Sequence, residues 1–215
     1  MSGVESLYPF LYSGKSDVAA VLAEVCRSTA EKAEEIIRLR SDVLELYRDR
    51  LIDCASAMAR SFTAGGRLFS FGNGGSSTDA QALAELFQNP GPDARPLPAT
   101  ALTTDVAVLS ALANDVSFDV VFARPLAANG HARDIAVGLS TSGGSSNVLR
   151  GFVEATRRGM LTIGLAGYDG GKMAETDTIE YLFVIPSSSV HRIQEAQTTI
   201  YHVLWELTQL ALSPT

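Results

Sequence analysis

Residues 140–146 read Ser140-Thr141-Ser142-Gly143-Gly144-Ser145-Ser146. The apolar run Ile135 to Leu139 precedes them, and a helix-like segment from Asn147 to Arg158 follows. A strand that feeds a glycine- and hydroxyl-rich turn and then a helix can hold an anion. The glycines let the backbone approach closely, the hydroxyls donate, and the helix start adds free N–H groups and a positive dipole end. No Lys or Arg lies in the stretch. That favours a small phosphorylated metabolite held by neutral donors over a nucleoside triphosphate with Mg²⁺. Taken alone, the same residues also suit a plain Ser/Gly connector.

The arrangement occurs twice. Arg67 to Phe71 has the character of a short buried strand. It runs into Gly72-Asn73-Gly74-Gly75-Ser76-Ser77 and then a helix over Thr78 to Gln88. Ser77 stands where a dinucleotide fingerprint needs its third glycine, and no Lys makes the loop a Walker motif. Further strands are expected at Pro98 to Leu102, Leu161 to Ala166 and Ile179 to Ile185, with Ile135 to Leu139 as the third in order. Helices are expected over Thr104 to Ala113, Phe118 to Ala128 and Val190 to Leu212. The last should turn Ile193, Ala196, Ile200, Val203, Leu207 and Ala211 inward. Residues 89–98 hold four prolines and read as a loop, and Gly167-Tyr168-Asp169-Gly170-Gly171 reads as a turn. Short apolar strands alternating with helices predict an α/β fold, a parallel sheet covered on both faces. Ligands of such sheets bind beyond the carboxyl ends of the strands, where both Gly/Ser loops lie. That pairing weakens the connector reading of each.

Ahead of the first strand, residues 1–15 read as an irregular lead-in. Two amphipathic helices are expected over residues 16–39 and 41–64, ended by Gly65-Gly66. Their apolar surface suits an oligomer interface, and covering the sheet accounts for it equally well. The domain division is thus 1–15, 16–64 and 65–215. The chain has 215 residues, 46% hydrophobic, with a formal net charge of -7. This excludes global disorder and argues against a nucleic-acid footprint. Two widely spaced cysteines, Cys26 and Cys54, fit a reducing compartment and no zinc knuckle. With no signal-peptide pattern and no span of bilayer length, a soluble cytoplasmic protein without a membrane partner is expected.

Four motifs, in order and spacing, resemble one known family. They are Phe71-Gly-Asn-Gly-Gly-Ser76, Leu139-Ser-Thr-Ser-Gly143, Gly167-Tyr-Asp-Gly-Gly171 and Arg192-Ile-Gln-Glu195. Over residues 40–212 the chain is similar to the sugar-isomerase (SIS) domain, in its phosphoheptose isomerase branch. That branch includes tetrameric DnaA-binding relatives that act as regulators. The resemblance implies a flavodoxin-like α/β/α sandwich on a five-stranded parallel sheet and a homotetramer with sites at subunit interfaces. It implies conversion of sedoheptulose 7-phosphate to an aldose heptose phosphate.

By the same resemblance Ser140, Thr141, Ser142 and Ser145 hold the phosphate. Asn73, Gly74 and Ser76 contact the phosphate or sugar, and Thr104, Asp105 and Gln194 contact the sugar. Gln194 and His202 lie eight residues apart, ~2.2 helical turns, so both can face one pocket. The family's zinc-binding His and Glu on the helix after the first loop fall on Ala82 and Leu86, so the ligand set is incomplete and no bound metal or other cofactor is expected. Glu85, ~100° around the helix from Leu86, is left as candidate base, with His202 as acid. His191 stands where the family has an Asp, and Gly144 where it often has Asn. The alternative is a non-catalytic SIS protein that binds a phosphosugar or a protein partner. Outside the resemblance, His202 reads as an ordinary packing residue of an amphipathic helix and Glu85 as a solvated carboxylate.

Overall fold

A computed structural model describes residues 18–213. The expected lead-in at 1–15 lies outside the described residues. The first element is α1, Val18–Thr63, one helix where two were expected. Ser41-Asp42 has the composition of a helix start, but no Gly or Pro interrupts residues 18–63, and Leu39, Arg40, Val43 and Leu44 all extend a helix cheaply. The break signal is therefore overridden. The helix stops where glycine permits it: Gly65 has φ 79°, and Gly66 N–H donates to the Ser61 carbonyl at 2.9 Å. The described residues divide into two units after Arg38. Within the first, Val21, Leu22 and Val25 are exposed.

The second unit carries five strands: β1 Leu68–Gly72, β2 Ala99–Ala101, β3 Ile135–Ser140, β4 Leu161–Gly167 and β5 Tyr181–Ile185. They pair in the order β2-β1-β3-β4-β5, all parallel. Every residue of β1 and β3 is buried, because helices cover both faces of a parallel sheet. On one face Phe71 meets Phe122 and Phe152 at 5.4 Å each between ring centroids. The β5 edge is closed by α1. Tyr47 Oη accepts from Val184 N–H at 3.0 Å and donates to Val184 O at 3.2 Å, standing in for a neighbouring strand.

The helices are α2 Gly75–Gln88, α3 Val106–Asp115, α4 Ala123–Asn129, α5 Ser146–Arg157, α6 Gly171–Ala174 and α7 Val190–Leu212. The helix expected over 118–128 is divided into a 3-10 turn, Phe118–Val120, and α4. Pro125 has no N–H to donate, so it sits in the first turn of a new helix more cheaply than inside a continuous one. The expected bounds of α7 hold, but its inward stripe differs. Ile193, Ala196 and Ile200 are buried, and the stripe then continues through Leu204 and Thr208. Val203 and Leu207 are only partly covered and Ala211 is exposed. An untwisted helix drifts away from a seven-residue apolar pattern by ~20° per repeat.

The strand order reverses between β2 and β3 on either side of β1. The loops after β1 and β3 leave the sheet at that point, where a crevice opens in doubly wound folds.

Candidate functional site

A pocket of about 250 Å³ occupies this crevice. Asn73 and Ser76 line it from the first loop, and Ser140, Thr141, Ser142 and Ser145 from the second. Leu139, Tyr168 and Val190 complete the wall. Among the described residues no charged side chain contributes to the lining. Three helix starts converge instead: α2 begins at Gly75, α5 at Ser146 and α7 at Val190. Their positive dipole ends, with the hydroxyls of the two loops, make the pocket favourable for an anion without a cationic side chain.

The two loops are tied together. Asn73 Nδ2 donates to Asn147 Oδ1 at 2.8 Å, and Asn147 Nδ2 donates to Asn73 Oδ1 at 2.9 Å. Within the second loop the hydroxyls of Ser140 and Ser145 lie 3.1 Å apart, and Ser142 Oγ accepts from Gly144 N–H at 3.2 Å. The Gly167–Gly171 turn braces this loop from below. Gly167 N–H donates to Thr141 O and Met173 N–H to Gly143 O, both at 3.0 Å. Gly143 has φ 62°, and a Cβ there would lie 1.9 Å from Gly170 O, so only glycine lets the two loops nest. Asn147, Tyr168 and the bracing role of the turn escaped the sequence reading, because all three depend on contacts between distant segments.

The other nominated residues lie elsewhere. Gly74 is exposed at the start of α2, with φ 56°. Gln194 on α7 packs against Gly75, its Nε2 2.3 Å from where a Cβ would be. Thr104 and Glu85 share a second groove, of about 480 Å³, with Gln81, Ala82, Gln88 and Thr100 on the β2 side of α2. Thr104 Oγ1 donates to Ala101 O, and Asp105 caps α3 by accepting from Val108 N–H at 3.0 Å. The Glu85 carboxylate is exposed and accepts from Asn89 Nδ2 at 2.8 Å. His202 is exposed on α7, its ring stacked on Tyr201 at 5.2 Å. The pocket therefore gathers six of the nominated residues, and neither Glu85 nor His202 lines it. His191 is exposed in the first turn of α7.

The two positions on α2 at which the resemblance implies zinc ligands carry a methyl group, at Ala82, and an isobutyl group, at Leu86. Neither can ligate. Among the described residues no three His, Cys, Asp or Glu side chains gather where they could hold a metal ion. At these two positions the chain supplies no zinc donor.

One further carboxylate lies close to the first loop. Asp79 follows Ser76 by a single helical turn and is half-buried. Its Oδ2 is buried without a hydrogen-bond partner among the described residues. Burial holds its pKa above the usual carboxylate value, and its charge is felt at Tyr201 of α7. Gln197, fully buried on the same helix, has neither amide atom bonded among the described residues. A carboxylate one turn from Ser76 and next to the buried Ala80 was the available signal for Asp79.

Comparison with known proteins agrees with this geometry. The SIS domain family matches residues 33–167. A phosphoheptose isomerase of Aquifex aeolicus is 42% identical over 184 residues, covering 83% of this chain and 95% of that protein. One of Nitratidesulfovibrio vulgaris is 41% identical over 199 residues, 89% of this chain and 95% of the relative. Among solved structures, the phosphoheptose isomerase of Neisseria gonorrhoeae superposes with a TM-score of 0.78 at 35% identity, over 85% of this chain and 97% of that one. That of Francisella tularensis gives 0.81 at 30% identity, over 86% and 98%. By the family match over residues 33–167 and these relatives and structures, which cover most of the chain, the chain belongs to the SIS domain family, in its phosphoheptose isomerase branch.

Proposed function

We propose that this protein binds sedoheptulose 7-phosphate and interconverts it with an aldose heptose 7-phosphate. The pocket with seven hydroxyl or amide side chains and three helix starts carries the reading, since it suits a phosphate on a neutral ligand. Relatives at about 40% identity that bear the phosphoheptose isomerase name supply the sugar. Ser140, Thr141, Ser142 and Ser145 hold the phosphate. Asn73, Gly74 and Ser76 of the first loop serve the phosphate or the sugar, and Thr104, Asp105 and Gln194 serve the sugar.

The reaction moves a proton from C1 of the ketose to C2. A base removes the C1 proton to give an enediol, the same group returns it to C2, and an acid shifts a proton from O1 to O2 as the carbonyl changes carbon. Neither Glu85, the proposed base, nor His202, the proposed acid, lines the pocket within the single chain. The proposal therefore places the complete site in a homotetramer, where a neighbouring subunit closes the pocket. Exposed Leu46, Ile52 and Leu210 supply apolar surface for such an assembly. The chemistry proceeds without bound zinc, in the cytoplasm. Among the described residues no helix is long and apolar enough to cross a membrane.

A second reading, a phosphosugar-binding regulator without turnover, is favoured by Ala82 and Leu86, which leave the usual metal and base positions apolar. One experiment separates the two. Purified protein is incubated with sedoheptulose 7-phosphate and aldose formation is followed with and without added zinc. Turnover supports the isomerase, and binding without turnover the regulator. Replacing Ser142 and Ser145 together with Ala should weaken binding by about 2–4 kcal/mol in calorimetry. Unchanged affinity would remove the phosphate assignment on which both readings stand.

A further inference from the structure

Tyr168 is the one non-glycine residue among those described whose backbone sits in the left-handed region, with φ 55°. A tyrosine is costly there, where glycine or asparagine is cheap. The turn it belongs to is rich in glycine, yet this position carries an aromatic ring. Core packing does not explain it, because Tyr168 is 40% exposed. What the conformation achieves is a place in the wall of the phosphate pocket, alongside Ser142, Ser145 and Val190.

The turn is held rigidly enough to maintain that strain. On one side Gly167 N–H is bonded to Thr141 O, and on the other Gly170 N–H closes back on Gly167 O at 2.9 Å. Asp169 Oδ1 then accepts from Gly171 N–H at 3.0 Å, and Met173 N–H from the next helix reaches Gly143 O. Tyr168 is thus the side chain that the brace of the phosphate loop presents to the pocket. Strained residues that the surroundings hold in place gather at ligand clamps. The rest of the lining offers hydroxyls, amides and the small apolar groups of Leu139 and Val190. The ring is the one aromatic group among the lining residues, and about 250 Å³ leaves room for more than a phosphate.

We propose that Tyr168 is the positioning residue for the phosphate-bearing end of the sugar: its ring forms the wall against which the carbon chain next to the phosphate lies. This rests on the phosphosugar reading given above. The phosphate itself is held by the serines and the backbone, so the ring bears on sugar phosphates and not on inorganic phosphate.

Two variants test this in calorimetry and thermal melts, with sedoheptulose 7-phosphate and inorganic phosphate as probes. Tyr168→Asn removes the ring and suits the left-handed backbone, so its melting temperature should equal or exceed the parent's. Its Kd for sedoheptulose 7-phosphate should rise about tenfold, while that for inorganic phosphate changes by less than about twofold. Tyr168→Phe keeps the ring and should remain within about threefold of the parent for both probes. A parent-like Kd for sedoheptulose 7-phosphate in Tyr168→Asn overturns the inference. So does an equal loss for both probes, or a melting temperature well below the parent's, either of which assigns the residue to the loop's structure. If the parent protein binds neither probe, the phosphosugar reading itself falls, and the role of Tyr168 with it.

Discussion

Asn73 and Asn147, 74 residues apart in sequence, exchange two amide hydrogen bonds of 2.8 and 2.9 Å across the crevice. Each side chain satisfies the other's donor and acceptor, and Asn147 Oδ1 also accepts from Val148 N–H at 3.0 Å. The pair fixes the distance between the two loops that line the pocket, so it couples stability to binding. Asn147→Ala should cost about 1–3 kcal/mol in urea unfolding, since it leaves a part-buried amide without partners. Phosphosugar affinity should fall with it. The double variant with Asn73→Ala should cost less than the sum of the singles. Strictly additive losses would show that the two amides act independently.

The nesting of the second loop on the Gly167–Gly171 turn makes a sharper claim about one atom. A Cβ on Gly143 would sit 1.9 Å from Gly170 O, on a backbone with φ 62°. Gly143→Ala should therefore destabilise by about 2–3 kcal/mol and open the phosphate loop. Its neighbour is the control. A Cβ on Gly144 meets nothing nearer than Ser142 Oγ at 3.7 Å, so Gly144→Ala should change the melting temperature by little. Equal effects at the two positions would contradict the packing described for this loop.

How much of this was legible in the sequence follows from the range of the forces involved. The strands were readable because short apolar runs flanked by Gly, Ser or Pro have few other uses in a chain of this length. The serines of residues 140–145 were readable because the strand, loop and helix that place them are contiguous. The single helix α1 was not: Ser41-Asp42 is a local start signal, and only the absence of any breaker from residue 18 to 63 outweighs it. The turn at Gly167–Gly171 looked like punctuation, since its partner, Gly143, is more than twenty residues away. Glu85 and His202 show the limit from the other side. Their spacing on two helices said nothing about which flank of α2 each would occupy. The structure puts Glu85 in the groove with Thr100 and Thr104, while α7 carries His202 exposed.

Asp79 gives a prediction in pH. Burial raises its folded pKa above the model-compound value of 3.8. Between the unfolded and folded pKa values the native state holds the extra proton, so stability falls as pH rises through that window and stays reduced above it. Asp79→Asn keeps a neutral side chain at every pH. The variant should melt higher than the parent at neutral pH, and the gap should close as the pH falls to about 4. Melting curves of both proteins across that range provide the check. A gap independent of pH would mean that the change acts through packing and not through the buried charge.

The metal and the base can be tested together. A catalytic zinc takes three protein ligands and a structural one four. The matched positions offer Gln194 and His202, with Ala82 and Leu86 contributing none. The purified protein should therefore carry well under one zinc per chain by atomic absorption, and a chelator should leave any turnover unchanged. Restoring the missing pair by Ala82→His with Leu86→Glu supplies two side chains at i, i+4 on α2, on one helix face. If that face looks toward Gln194 and His202 in the assembled protein, the double variant should take up about one zinc per chain. Failure to gain zinc would place the four positions too far apart for any shared metal chemistry. Glu85 is probed separately. If it is the base of a metal-free isomerase, Glu85→Gln should lower kcat by about 10²–10⁴-fold and leave the Kd for sedoheptulose 7-phosphate unchanged. An unaltered rate would exclude it, because a carboxylate that transfers the proton cannot be replaced by an amide without loss. Attention would then pass to Asp79, whose buried Oδ2 has no partner among the described residues.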